Sequence, residues 1–254
     1  MFRDGRSADL FIIVLLFTAG YWFYRSFRKS SRMPIRRIRG LDSIDDAIGR
    51  ATEMGRPVHF TTGCGGLVAD TMAAFAVLEY VARQSARYNA SLIVTNSQPV
   101  VQPMTENIVK SAYVSEGRAD SFQPGNIRYL SDTMQAYVVG VWGILEREQA
   151  AANIMMGYFY AESLLLAEGG SRAGAFQIAG TASTPQLPFF VAACDYTLIG
   201  EELFAAGAYL SENPVRVGAL MAQDIAKILA IGLIAAGSLA ASAGWSLVAK
   251  LCDY

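Results

Sequence analysis

The run Thr61-Thr62-Gly63-Cys64-Gly65-Gly66 is the part of this chain best equipped for chemistry. It follows a short apolar stretch (57–60) and precedes a helical pattern (69–87). Free backbone N–H groups and a helix N-terminus are thus expected there, a setting that stabilises an anion. The run matches neither GxGxxG nor the phosphate-binding loop, whose lysine has no counterpart here. Tight turning and close packing call for the same glycines. Cys64 offers a thiol whose ionised form a helix dipole favours; a small loop residue is the plain alternative. His59 is the only histidine. Its position on the preceding strand assigns no Cys–His–acid set, so no catalytic residue is named.

Similar small, hydroxyl-bearing residues end the other apolar runs. Thr95 and Asn96 follow 91–95, Asp132 follows 127–130, and Gly180, Thr181, Ser183 and Thr184 follow 175–179. With Thr61–Gly66 they make the candidate ligand-binding set. Glu162 lies near the end of 153–156. Glu201 and Glu202 are adjacent, so on a helix they point about 100° apart and act poorly as one acid pair. Cys64, Cys194 and Cys252 show no CxxC spacing. No metal site and no cofactor are expected.

The elements that must position these residues alternate regularly. Helical periodicity covers 43–54, with Ser43 and Asp46 resembling an N-terminal capping pair. It recurs over 69–87, 102–116, 133–148 and 161–168. Short apolar runs at 57–60, 91–95, 127–130, 153–156 and 175–179 read as five strands. Segments 189–193 and 196–210 follow a Thr/Ser/Pro loop. Strand–helix alternation of this kind predicts an α/β fold, a single Rossmann-like, doubly wound, mostly parallel sheet. Its ligands bind beyond the carboxyl ends of the strands.

Composition adds a reading of the two ends. Hydrophobic residues make up 53% of the 254-residue chain, and apolar segments at 10–24 and 228–249 account for part of that excess. Between 25 and 39 lie seven basic residues and no acid, while 40–224 holds ten Lys/Arg against nineteen Asp/Glu. A basic collar beside an apolar segment predicts a membrane boundary with the collar on the cytoplasmic side. The expected organisation is a short outer tail (1–9), a transmembrane helix (10–24), a collar (25–40), a cytoplasmic α/β domain (41–224), a second transmembrane helix (225–249) and a short tail (250–254). Localisation is read as membrane, the plasma or inner membrane, with the lipid bilayer as a partner. The acidic domain argues against nucleic acid. Small residues such as Gly232, Ala236 and Ala240 would let the second span pack on neighbouring helices.

The stretches RATEMGRPVHFTTG, SARYNASLIVTN and IAGTAST through CDYTLIGEEL resemble an uncharacterised prokaryotic family of membrane-anchored α/β proteins. The resemblance runs from Leu41 to the second apolar segment and implies a domain of unknown function, with no catalytic residues to carry over. The favoured reading is a membrane-anchored subunit that self-associates into a larger homo-oligomer. The alternative is a membrane-tethered enzyme, or a module binding a small anionic ligand or nucleotide at the strand ends. Third stands a transport subunit, which would need oligomerisation to form a pore.

Overall fold

In the computed structural model the described residues are 39–211, together with scattered positions at 14, 18 and 21 and between 223 and 242. The chain divides into two compact units, one of residues 36–211 and one of 1–35 with 212–254. The first unit carries the sheet. Its elements are α1 (Arg39–Met54), β1 (Val58–Gly63), α2 (Ala69–Tyr88), β2 (Leu92–Asn96), α3 (Gln102–Ser115), β3 (Ile127–Tyr129), α4 (Met134–Arg147), β4 (Ala152–Tyr158), α5 (Glu162–Arg172), β5 (Phe176–Thr181), α6 (Leu187–Ala193), β6 (Tyr196–Ile199) and α7 (Glu201–Ser211).

The six strands lie in the order β3-β2-β1-β4-β5-β6, and every neighbouring pair is parallel. The architecture is therefore Rossmann-like. Strand order reverses between β1 and β4, which places a crevice at their carboxyl ends. Alternate residues of a strand face opposite sides. Val58, Phe60, Leu92, Val94, Ile154 and Ile178 join a core with residues of α1, α2, α3 and α7. Met155 and Ala179 point the other way, into a smaller cluster with Tyr137 and Leu145 of α4, Leu166 of α5 and Phe190 of α6.

Two details differ from expectation. The first helix begins at Arg39, about one turn before Ser43, and the Ser43 hydroxyl donates back to Gly40 O at 2.8 Å. Segment 196–210, read as one element, is two. Gly200 has φ +58°, a turn that L-residues resist. The turn separates strand β6 from helix α7, whose Glu202 carboxylate accepts the Ile199 N–H at 3.1 Å. The sheet thus has six strands where five were expected.

The expected membrane location is corrected. Among the described residues no helix is long and apolar enough to cross a membrane. A span needs about 20 consecutive apolar residues in one helix. The first segment offers only the 15 residues of 10–24, short of that length. Most of 10–24 and 228–249, the collar and both tails lie outside the described residues, so the flanking transmembrane helices have no support in the structure.

Candidate functional site

The strands β1 and β4 meet at the switch in strand order through backbone, with no room for side chains. Register shifts between Thr61 and Gly63, so that Gly63 pairs with Tyr158. Gly63 has φ +77° and Gly157 φ +136°. A Cβ on Gly63 would strike the Tyr158 carbonyl oxygen, and one on Gly157 the Thr62 carbonyl oxygen. Cys64 N then donates to Tyr158 O at 2.9 Å, and a Cβ on Gly65 would meet Tyr158 Cβ at 2.5 Å. Close approach and backbone conformation thus account for Gly63, Gly65 and Gly157. Gly66 has open space around it and a φ of +65°, which only the turn requires.

Below this junction runs a buried polar chain. His59 and Asn153 are both 0% exposed. His59 Nδ1 lies 2.7 Å from Asn153 Oδ1, and Asn153 Nδ2 donates to Gln177 Oε1 at 3.1 Å. The Asn153 carbonyl oxygen therefore accepts, which assigns the ring proton to Nδ1. Nε2 must then accept from Thr95 Oγ1 at 2.9 Å. Thr95 in turn receives the Tyr137 O–H at 3.1 Å, and Tyr137 accepts from Thr61 Oγ1 at 2.5 Å. Thr61 Oγ1 closes the series by accepting Gly63 N–H at 3.1 Å. One series of donors thus links the switch loop to β5. Burial is the largest cause that lowers His59, to about 4, so the ring is neutral at pH 7. Gly170 of α5 passes so close that a Cβ would collide with Gln177 Oε1 and meet Asn153 Nδ2 at 2.6 Å.

Glu162, the first residue of α5, is 0% exposed. One carboxylate oxygen, Oε1, accepts Tyr160 N–H at 2.9 Å. The other, Oε2, is buried with no hydrogen-bond partner. Burial first, then the Glu162 charge, pushes the Cys64 thiol well up; a Ser97 hydroxyl favours the thiolate, and a hydrogen bond between the thiol and Glu162 opposes it. Tyr137 is raised mainly by burial, with Cys64 and Glu162 adding to it. These groups therefore form one local cluster. Cys64 stands there as a protonated thiol beside Glu162, not an activated nucleophile, and Oε2 remains the carboxylate oxygen without a hydrogen-bond partner. Across the end of β4, Asp70 of α2 accepts Ala182 N–H at 3.1 Å, and Ser163 Oγ donates to Gln186 Oε1 at 2.7 Å.

The candidate residues separate into groups. Thr61 and Thr95 belong to the polar chain. Thr62 donates to Asn96 at 3.4 Å, and Asn96 holds Gln102 and Thr105 of α3 at 2.7 and 2.9 Å. Gly63 to Gly66 form the switch loop. Gly180 lies in the core, where a Cβ would meet Met156 Sδ at 2.6 Å. Thr181 accepts Ser183 N–H at 3.1 Å. Asp132 and Thr184 are exposed; Asp132 follows the edge strand β3, two strands from the switch. Asn153, Gln177, Tyr137 and Ser97 were outside the candidate set. For Asn153 and Gln177 the signal was period-two polarity, each standing between apolar neighbours in a strand; Tyr137 on α4 and Ser97 after β2 carried no such signal. Among the described residues no group of three His, Cys, Asp or Glu side chains is arranged to hold a metal ion.

The family described as Domain of unknown function (DUF6754) matches residues 1–252. The chain belongs to that family. No curated protein and no solved structure matches it.

Proposed function

We propose that this DUF6754 domain binds a small molecule at the β1/β4 crevice, and that the ligand presents hydroxyl or ammonium donors to Glu162. The observation that carries this reading is Glu162 Oε2, an acceptor buried with no partner. Leaving such a group unpaired costs about 1–3 kcal/mol or more, and a bound donor removes that cost. Acidic residues also occupy the first turns of both helices that leave the switch, Asp70 of α2 and Glu162 of α5. Negative charge there occupies the positions that would favour an anion, which weighs against the anionic or nucleotide ligand. Thermal denaturation of the full chain with millimolar D-ribose, 1,4-diaminobutane or inorganic phosphate tests the choice. Ribose or the diamine should raise Tm; a shift with phosphate alone would favour the anionic alternative.

Self-association is the second reading. Phe189, Val191, Tyr196 and Ile199 are 40%, 56%, 41% and 52% exposed. They lie on α6 and the edge strand β6, and an open edge with apolar side chains is a ready pairing surface. Light scattering on the purified chain checks it: a monomer at micromolar concentration removes this reading.

A further inference from the structure

At the opposite end of the sheet, a cavity of about 260 Å³ opens beside the amino ends of β2 and β3. We infer that it is a second binding site, for a small, neutral, planar heterocycle, and it stands independently of the crevice reading. Three observations converge. First, Ser85 of α2 lines this cavity, is 0% exposed, and its Oγ has no hydrogen-bond partner. A helical serine ordinarily returns its hydroxyl to the preceding turn; this one makes no hydrogen bond to the protein. Second, Tyr113 and Phe122 line the same space as an edge-to-face pair with ring centroids 6.1 Å apart. Such a wall suits a flat ring. Third, the polar lining is uncharged: Asn89 and Asn126 join Ser85, and no Asp, Glu, Lys or Arg lines the cavity. A charged ligand would enter with nothing to neutralise it.

Size narrows the class further. The volume falls just below the roughly 300 Å³ at which drug-sized pockets begin, so one or two fused rings are expected. Asn89 sits at the rim in a left-handed conformation, φ 55°, as the C-cap of α2. Its backbone N–H is already used by the helix, so its side chain is the group free to meet a ligand edge.

The test is saturation-transfer NMR on the full chain with adenine, nicotinamide and indole as probes. At least one probe should show transfer. Ser85→Ala should weaken it about tenfold, the loss of one buried hydrogen bond at about 1.4 kcal/mol. Ser121→Trp, at the exposed rim of the cavity, should abolish it without disturbing the core, which keeps the test readable if Ser85→Ala folds poorly. Glu162→Gln should leave the transfer unchanged. Absence of transfer from all three probes overturns the site, as does transfer that Ser121→Trp leaves intact or that Glu162→Gln removes.

Discussion

The two faces of one sheet are built on opposite principles. On the side of α1, α2, α3 and α7, the strands present Val58, Phe60, Leu92, Val94, Ile154 and Ile178, a continuous apolar surface. On the side of α4, α5 and α6, the same strands present His59, Thr61, Thr95, Asn153 and Gln177, all buried. A period of two lets one strand serve both purposes. The apolar face contributes stability through burial, about 1.5–3 kcal/mol for each large side chain. The polar face contributes only if every donor meets an acceptor, and its worth lies in fixing register and the position of Tyr137 and the switch loop. Two buried polar atoms beside that face have no partner, Thr197 Oγ1 on the edge strand β6 and Glu162 Oε2 at the switch. Of the two, only Glu162 Oε2 belongs to a charged group and stands beside the crevice.

The comparison can be broken most forcefully on the apolar side. Phe60→Ala should cost about 3–5 kcal/mol, read from urea denaturation, because it removes a fully buried ring and leaves a cavity. If Phe60→Ala costs less than a polar-face substitution, the division of labour is wrong.

The next effect belongs to the polar face and appears as pH dependence. His59 protonates near 6.5 when unfolded but is held to about 4 in the fold. As pH falls below 6.5 the unfolded chain gains a proton that the native state refuses. Stability is therefore full above about 6.5 and lost as pH approaches 4. The loss is about 3 kcal/mol, at about 1.4 kcal/mol per pH unit. His59→Gln should flatten that part of the curve. Asn153→Leu should cost about 2 kcal/mol by stranding the His59 Nδ1–H and the Gln177 carbonyl oxygen. The double variant His59→Leu/Asn153→Leu should cost less than the two single changes together, since removing both partners strands fewer groups. Strict additivity would mean the chain of donors is not one unit. Smallest is Thr62→Ala. Its 3.4 Å bond to Asn96 is long, and under about 1 kcal/mol is expected.

Much of this fold was legible from periodicity. The runs at 57–60, 91–95, 127–130, 153–156 and 175–179 each fall on a strand, because apolar β-branched stretches bounded by turns leave few alternatives. The sixth strand was missed. Tyr196–Ile199 is only four residues long and runs through Gly200 into a helix of similar apolarity. Residues after the strands could be named from topology, but their roles could not. Whether Thr61 faces a ligand or Tyr137 depends on α4, whose placement no local pattern reveals. Glu162 looked like any first-turn acid; only the packing of the β4–α5 loop shows it buried. The membrane reading finds no support among the described residues, where no helix is long and apolar enough to cross.

The central claim is that Glu162 waits for a donor-bearing ligand, and calorimetric titration of the full chain with D-ribose and with 1,4-diaminobutane tests it most directly. Wild type should bind at least one of them, and Glu162→Gln should bind it at least tenfold more weakly while keeping its circular-dichroism spectrum. Equal affinity in the two proteins, or no binding of either probe to wild type, would contradict the assignment.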